Sequence, residues 1–192
     1  MQVLGRLTRK FRWISARSTR HFSQELKGIH GVPVVDCSAI NEGKMEDLVP
    51  EIRSACSKWG FFQLVNHGLD EQIVRTFEEK TREFFDLSKE VKKSVKRSTN
   101  NSRGFFDDEF TKRKRDWKEG FDFGITPYSR DPRATGFTVD GAADDDARHN
   151  NLDGFNRFPS EAQAPGFRNA MWEYFNEMTS LAERISQVMA IG

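Results

Sequence analysis

The stretch Trp59-Gly60-Phe61-Phe62-Gln63-Leu64-Val65-Asn66-His67-Gly68 decides the fold of this chain. Its aromatic and branched residues favour an extended backbone, so residues 61–65 are predicted to form a short apolar strand. Gly60 ends the helix that is predicted before this strand, and the Asn66-His67-Gly68 triplet is typical of a turn. A helix, a strand and a turn thus follow one another closely, which favours a mixed α+β fold.

Two further elements are predicted upstream of this stretch. Residues 32–40 are predicted to form a strand, and Pro33 is tolerated near its start because a first position needs no N–H group. Residues 44–58 carry apolar side chains at helical spacing. Pro50 interrupts that pattern, so the regular helix is predicted to begin near Val49, with Pro50 in its first turn.

The chain downstream of Gly68 is predicted to contain three helices, one strand and one long loop. These are a helix from its N-cap Asp70 to about Phe85, a lysine-rich helix capped by Ser88 and ending near Lys96, a strand over residues 121–125, a surface loop over residues 127–154, and a final helix from about Gly166 to Ala190.

The final helix carries a continuous apolar face. Its members are Phe167, Met171, Tyr174, Phe175, Met178, Leu181, Ala182, Ile185, Val188 and Met189. We expect only part of this face to be covered, and we expect the strands at residues 33–36 and 61–65 to have an unpaired edge. The chain is therefore predicted to be oligomeric, aggregation-prone or loosely packed unless a partner covers these surfaces.

Composition excludes several classes of protein. The 192 residues include 17 Phe and are 36% hydrophobic, so the chain can bury a core and is not disordered overall. No apolar run reaches the length of about 18 residues that a membrane-spanning helix needs. Cys37 and Cys56 cannot form a disulfide scaffold or a four-thiolate zinc site, and we expect two reduced, buried thiols.

The amino terminus differs from the rest of the chain in charge. Residues 1–24 hold six of the 30 basic residues and none of the 29 acidic ones, which leaves a net charge of −5 on the remainder. Leu4, Leu7, Phe11 and Ile14 recur at spacings of 3, 4 and 3, which places them on one helical face. Such a segment is typical of an organelle transit peptide, and we expect mitochondrial targeting. A plastid address, or a basic disordered tail on a cytoplasmic protein, is the alternative.

Motifs of several common catalytic chemistries are missing from the sequence. There is no Gly-x-Ser-x-Gly elbow for a nucleophilic Ser, and neither Cys has a motif that lowers a thiol pKa. The phosphate-binding turns Gly-x-x-x-x-Gly-Lys and Gly-x-Gly-x-x-Gly are also missing. The run Asp144-Asp145-Asp146 lacks the spacing of an EF-hand, so a solvated loop is favoured over a cation site.

Two basic clusters raise the question of nucleic-acid binding. They are Lys89, Lys92, Lys93, Lys96 and Arg97, and the run Lys112-Arg113-Lys114-Arg115. Acidic residues lie close to both clusters in the sequence, which favours solvated surfaces over a nucleic-acid site. We therefore predict neither a nucleic-acid partner nor a membrane span.

The four histidines lack the spacing of a known metal site. An iron site with two His and one carboxylate usually has His-x-Asp or His-x-Glu on a strand, but neither pattern follows His21, His30, His67 or His149. His67 and Asp70 are three residues apart across a turn, and a turn histidine is favoured over a metal ligand. We therefore predict no catalytic, metal-binding or cofactor-binding residue in this chain, and the substrate-binding residues stay unknown.

Several motifs combine with the stretch from Trp59 to Gly68. They are Val32-Pro33-Val34-Val35-Asp36, Phe84-Phe85-Asp86-Leu87-Ser88, Asp116-Trp117-Lys118-Glu119-Gly120-Phe121-Asp122-Phe123, Asn156-Arg157-Phe158-Pro159 and Pro165-Gly166-Phe167-Arg168. Together they resemble the amino-terminal domain of the isopenicillin N synthase-like, 2-oxoglutarate/Fe(II)-dependent dioxygenases. The resemblance covers residues 32–192, which are predicted to form one domain after a linker at residues 25–31.

The resemblance implies an oxidoreductase whose Fe(II) and 2-oxoglutarate are held by a carboxy-terminal jelly roll. These residues stop before that jelly roll, so none of them can be assigned as a ligand of either cofactor. The resemblance also implies that the strands at residues 33–36 and 61–65 extend a sheet of the jelly roll. Phe105, Trp117 and Tyr128 are candidates to line the approach to a complete site, but a packing role is favoured for each.

Two functions stay open from the sequence. The chain is either the amino-terminal, non-catalytic part of such an oxidoreductase, truncated and inactive alone, or a free-standing interaction module. The partner would be a catalytic jelly-roll domain or a second copy of the chain. An in-frame continuation with His-x-Asp after Gly192 would favour the first function, and a firm stop would favour the second.

The charge pattern of the leader predicts where it directs a fused protein. Residues 1–30 joined to a fluorescent reporter are expected to carry that reporter into mitochondria, because the Arg-rich, acid-free segment has the pattern of a presequence. Fluorescence microscopy measures the distribution. A diffuse cytosolic signal would reject organelle targeting, and a plastid signal would correct only the address.

Overall fold

The computed structural model describes residues 2–5, 31–99, 101–111, 114–115, 117–125 and 156–192. The predicted loop at 127–154 and nearly all of the predicted leader and linker lie outside these residues. The chain forms two compact units. We call Met1–Arg9 with Gln72–Phe175 the aromatic unit, and Lys10–Glu71 with Asn176–Gly192 the aliphatic unit.

Short strands and longer helices make up the described residues. The strands are β1 (Gln2–Gly5), β2 (Val34–Asp36), β3 (Gln63–Val65), β4 (Gly104–Phe106), β5 (Phe110–Thr111), β6 (Lys114–Arg115) and β7 (Glu119–Asp122). The helices are α1 (Ser38–Asn41), α2 (Val49–Lys58), α3 (Glu71–Asp86), α4 (Lys89–Ser94) and α5 (Phe167–Ile191), with a 3-10 turn at Met45–Leu48. This mixture, with no closed barrel among the described residues, confirms the predicted α+β class.

The aliphatic unit is built on a pair of parallel strands. β2 and β3 pair with Val35 opposite Leu64. The buried side chains come from both strands and several helices, and they are Val35, Cys37, Ile40, Leu48, Ile52, Leu181, Ile185 and Val188. The predicted helix start near Val49 is confirmed, with Pro50 in the first turn of α2. The predicted strand at residues 61–65 is confirmed in its second half, Gln63–Val65.

The predicted strand over residues 32–40 is wrong beyond Asp36. The Asp36 carboxylate accepts hydrogen bonds from Ser38 N at 3.0 Å and from Ser38 Oγ at 2.6 Å. Such a local side-chain cap competes with the hydrogen bonds of a strand ladder. The chain therefore turns at Cys37 and continues as the short helix α1.

Phenylalanine rings fill the core of the aromatic unit. Phe84 stacks on Phe167 with ring centroids 4.5 Å apart, and it meets Phe121 edge to face at 5.1 Å. The buried members of this core are Phe84, Phe85, Val95, Phe105, Phe121, Phe123, Phe158, Ala164, Phe167, Ala170, Met171 and Trp172. Because each ring removes a large apolar area from water, α3, the first half of α5 and the sheet of this unit share one core.

A three-stranded antiparallel sheet, in the order β1-β7-β4, completes the aromatic unit. Phe105 lies opposite Phe121 in its central register. β4 was not predicted, because a buried segment of three residues is too short to show a two-residue period. The next strand was predicted at residues 121–125, whereas β7 spans Glu119–Asp122.

The helices around this sheet follow the predicted boundaries closely. α3 begins directly after the predicted cap Asp70 and ends at Asp86. Ser88 caps α4 as predicted, since its Oγ accepts a hydrogen bond from Val91 N at 3.5 Å. α4 ends at Ser94, two residues before the predicted end at Lys96.

The apolar face of α5 contributes to both cores. Phe167 and Met171 are buried in the aromatic unit, and Leu181, Ile185 and Val188 are buried in the aliphatic unit. Two predicted members, Ala182 and Met189, are exposed, in agreement with the expectation that only part of the face is covered. The buried part is long because the helix supplies side chains to two cores instead of one. Among the described residues, no helix combines the length and apolarity that crossing a bilayer requires.

The first described residues form a strand and not a helix. β1 pairs antiparallel with β7, with Leu4 opposite Gly120. The helical face predicted from Leu4 to Ile14 is therefore wrong at Leu4, and its other members lie outside the described residues. The physical reason is that the edge of β7 offers backbone donors and acceptors that an added strand satisfies.

The cluster of rings predicts which core substitution lowers the free energy of unfolding most. Phe84→Ala is expected to lower the free energy of unfolding by about 3–5 kcal/mol, because Phe84 is fully buried and its removal leaves a cavity between several rings. Phe61→Ala is the matched control, since Phe61 is 56% exposed. Chemical denaturation of the two variants measures the difference. Similar losses for both would contradict a core centred on Phe84.

Candidate functional site

The turn after β3 is the most strongly hydrogen-bonded part of the predicted signature. Asn66 has a left-handed backbone with φ of 52°, and Gly68 follows with φ of 78°. Asn66 Nδ2 donates to Asp36 Oδ2 at 2.9 Å, which joins the carboxyl end of β3 to that of β2. The predicted Asn-His-Gly turn is thus confirmed, and its first side chain fixes the corner between the two strands.

A second layer of polar contacts extends this corner. Asn41 Nδ2 donates to the Asn66 carbonyl oxygen at 2.9 Å, and Arg184 donates to Asn41 Oδ1 at 3.0 Å. A Cβ atom at Gly68 would lie 3.1 Å from Asn41 Oδ1, so the close approach of Asn41 favours glycine there. These contacts join α1, the turn and α5 of the aliphatic unit, and they assign the polar residues of the corner a structural role.

His67 takes part in the turn itself. Its Nδ1 accepts a hydrogen bond from Leu69 N at 3.2 Å, and burial lowers the pKa of His67. Both observations favour the neutral imidazole, in which Nδ1 is an acceptor and the proton lies on Nε2. The preference for a turn histidine over a metal ligand agrees with this geometry.

The other candidate metal ligands lie elsewhere. His21, His30, His149 and the run Asp144–146 are outside the described residues. Within the described ranges, no group of three or more His, Cys, Asp or Glu side chains is arranged to hold a metal ion. The sequence assigned no catalytic, metal-binding or cofactor-binding residue, and that assignment stays a prediction.

The two cysteines are reduced thiols in the aliphatic unit. Cys37 is buried in the core, and Cys56 is partly buried against it. Burial, reinforced by the negative charge of Asp36, raises the pKa of Cys37 to about 11. A thiol that stays protonated at neutral pH is a poor nucleophile, so Cys37 is a packing residue.

The aromatic residues that were candidates to line the approach to a complete site lie in different environments. Phe105 is buried in the core of the aromatic unit, which confirms its favoured packing role. Trp117 is 98% exposed, so the favoured packing role is wrong for it. Tyr128 lies outside the described residues.

The first basic cluster is neutralised by acidic neighbours. Lys92 is buried and donates both to the Phe85 carbonyl oxygen at 2.9 Å and to Glu119 Oε2 at 2.8 Å. Lys96 binds Asp107 and Asp108, each at 2.9 Å. Arg97 also pairs with Asp108, at 3.2 Å, so three of the five members make internal contacts, while Lys89 and Lys93 are exposed. The side chains of the second cluster lie outside the described residues.

The edges of the β2–β3 pair are the remaining candidate surface. In the described part of the chain, β2 and β3 pair with each other alone. Gln63 N donates to the Pro33 carbonyl oxygen at 2.9 Å. Backbone N–H groups alternate between the two sides of a strand, so the N–H group of Leu64 points to the edge of β3 that faces away from β2. An edge of this kind can accept another strand.

Comparison with known proteins assigns a family to this fold. Residues 32–161 match the family described as "non-haem dioxygenase in morphine synthesis N-terminal". The chain is 27% identical to a probable iron/ascorbate oxidoreductase of Dictyostelium discoideum, in an alignment covering 85% of this chain and 46% of that protein. It is 32% identical over 129 residues to lateral branching oxidoreductase 1 of Arabidopsis thaliana, covering 62% of this chain and 33% of that protein.

Solved structures share the fold. JOX2 in complex with 2OG, Fe and JA superposes with a TM-score of 0.59 at 26% identity, covering 82% of this chain and 39% of JOX2. A full-length Neurospora crassa protein solved in complex with alpha-KG superposes with a TM-score of 0.61 at 21% identity, covering 83% and 46% of the two chains. At that identity, the likeness to the Neurospora protein concerns the fold alone.

The chain therefore belongs to the amino-terminal domain family of the non-haem, 2-oxoglutarate/Fe(II)-dependent dioxygenases, as the motifs predicted. The match over residues 32–161 includes both the corner at Asn66 and the sheet with β4 and β7. The chain spans less than half the length of the relatives named above.

The hydrogen bond to His67 Nδ1 predicts a pH dependence of stability. The lowered pKa means that the folded state prefers the neutral ring, so stability is complete above about pH 6.5, the ordinary pKa of His. Stability is lost as the pH falls from there through the lower pKa of the folded state. Denaturant unfolding at a series of pH values is expected to show this loss in the wild type and not in His67→Gln.

The control is Lys58→Gln, which changes an exposed side chain and should keep the wild-type pH profile. A His67→Gln profile that parallels the wild type below neutral pH would contradict the role of His67 as a neutral acceptor.

Proposed function

We propose that this chain is the amino-terminal, non-catalytic part of a 2-oxoglutarate/Fe(II)-dependent oxidoreductase, inactive without a catalytic jelly-roll domain. The observation that carries the proposal is the extent of the family match. It covers residues 32–161 of this chain, while the chain accounts for only 33–46% of the length of the two relatives described. The relative JOX2 was solved with 2OG and Fe, and these are the cofactors of the proposed complete enzyme.

The β2–β3 pair supports a docking role for the aliphatic unit. Both faces of β2 are already covered, since the successive residues Val34 and Val35 are buried. The unused binding capacity of the pair is therefore in its backbone edges, which recognise another strand through main-chain hydrogen bonds. A strand of the jelly roll added at the β3 edge would accept a hydrogen bond from Leu64 N.

The corner at Asn66 prepares this edge for docking. The Asn66–Asp36 hydrogen bond fixes the register of β2 and β3, so the donors and acceptors of the edge are held in place before a partner arrives. A preformed edge loses less conformational entropy on binding than a mobile one. The turn of the family signature thus acts through geometry and not as a ligand.

The proposal predicts how cofactor binding depends on the second domain. Anaerobic calorimetry of the chain alone is expected to detect neither a specific Fe(II) site nor a 2-oxoglutarate site. The same chain joined to the carboxy-terminal half of the Dictyostelium relative is expected to bind both. A one-to-one micromolar Fe(II) site in the chain alone, abolished by His67→Ala, would overturn the proposal.

Hydrogen exchange, measured on the chain alone and on the joined protein, identifies the docking edge. The Leu64 amide is expected to exchange faster in the chain alone than in the joined protein, while the Gln63 amide, which already donates to Pro33, changes little. Unchanged exchange at Leu64 would reject the β3 edge as the docking surface. Cofactor binding that appears when the chain is mixed with a separately produced carboxy-terminal half would favour a free-standing module instead.

A further inference from the structure

Two aromatic side chains lie exposed on the aliphatic unit, directly before β3. Trp59 is 43% exposed and Phe61 is 56% exposed. Single apolar residues scattered over a surface are normal, but these two rings contact each other. Their centroids are 5.7 Å apart, and their planes meet edge to face at 84°. We call this pair of rings the Trp59–Phe61 patch.

Local backbone geometry holds the two rings in this arrangement. α2 ends at Lys58, and Gly60 has a left-handed φ of 75°, which turns the chain between the two aromatic residues. One edge of the indole lies against Gly31, where a Cβ atom would be 3.2 Å from Trp59 Cζ2. The rings are thus positioned by local contacts, while much of their apolar area faces solvent.

The exposure of Phe61 follows from the alternation of side chains along this segment. Phe62 and Leu64 pack against the aliphatic core, whereas Phe61 and Gln63 are exposed. Helices α2 and α5 supply side chains to that core, so they cover the face that carries Phe62 and Leu64. The opposite face of the segment is open to solvent at Phe61 and Gln63.

The open part of this face begins at β3 and not at β2. Val34 lies opposite Gln63 in the parallel register, and side chains of such paired residues point to the same face. Val34 is only 2% exposed, whereas Gln63 is exposed. The face is therefore covered at β2 and open at β3, on the side whose edge carries the Leu64 N–H group.

This geometry identifies the part of a jelly roll that fits the patch. A jelly roll consists of two sheets packed face to face, about 10 Å apart. A strand added at the β3 edge continues both faces of the β2–β3 pair, and the helices already cover one of them. The second sheet of the jelly roll would then face the other side, where Phe61 and Gln63 lie.

We propose that the Trp59–Phe61 patch binds an apolar surface on the second sheet of the jelly-roll domain. The inference rests on the proposed function and deepens it, because it adds a side-chain contact to the backbone edge. Main-chain hydrogen bonds accept a strand of almost any sequence, so the edge alone selects poorly. Two positioned aromatic rings next to the Gln63 amide add selectivity, since buried aromatic anchors dominate the binding energy of interfaces.

Fluorine NMR of protein labelled with 5-fluorotryptophan tests whether the patch is covered. The chain alone is compared with the chain joined to the carboxy-terminal half of the Dictyostelium relative. The Trp59 signal is identified by its loss in Trp59→Phe, and Trp117, which is 98% exposed, gives the signal of an accessible ring in the chain alone. A soluble paramagnetic agent is expected to broaden the Trp59 signal in the chain alone, and this broadening is expected to be lost in the joined protein.

Phe61→Ser tests what the patch contributes to docking. In the chain alone it should leave the free energy of unfolding nearly unchanged, because the ring is mostly exposed. In the joined protein it is expected to lower the hydrogen-exchange protection of the Leu64 amide about tenfold, because the jelly roll docks less tightly. Trp117→Ser is the matched control, since it removes an exposed ring from the aromatic unit and should leave the Leu64 amide unchanged.

Three results would overturn the proposal. The first is a Trp59 signal that is broadened equally in the chain alone and in the joined protein. The second is a joined protein that protects Leu64 but responds no more to Phe61→Ser than to Trp117→Ser. The third is a Trp59 signal shielded in the chain alone together with a doubled mass in light scattering, because a second copy would then cover the patch.

The same measurements separate this proposal from the proposed function. A joined protein that binds both cofactors and leaves Trp59 accessible rejects the patch and keeps the proposed function. A joined protein that shields Trp59 but leaves the Leu64 amide unprotected supports the patch and rejects the β3 edge.

Discussion

The packing of Phe84 against Phe167 and Phe121 is the interaction on which the aromatic unit depends. These three rings come from α3, α5 and β7, elements that are far apart in the chain. Each ring buries a large apolar area and contributes its edge or its face to a neighbour, which fixes orientation as well as proximity. The sheet has only short strands, so the rings and not the ladder hydrogen bonds hold β4 and β7 against the helices.

The aliphatic unit uses a different device to fix its geometry. There the decisive contacts are polar, because Asp36 accepts hydrogen bonds from both Ser38 and Asn66 at the ends of two strands. A half-buried carboxylate with several donors is satisfied and costs little to bury. The same contacts that end β2 early also hold the signature turn, so the turn histidine is committed to the backbone and is not available as an iron ligand through Nδ1.

The β2–β3 edge differs from the two cores in the way it can make contacts. It offers backbone donors and acceptors in a regular row, which suits a strand of any sequence.

The sequence by itself determined the family, the α+β class and the boundaries of the long helices. Glycine, proline and capping residues act locally, so α2, α3, α4 and the turn at Asn66 could be predicted from neighbouring residues alone. Tertiary structure decided what depends on distant partners: β4 exists because β7 pairs with it, and β1 because the other edge of β7 is available. It also decided the coverage of α5, whose buried residues divide between two cores.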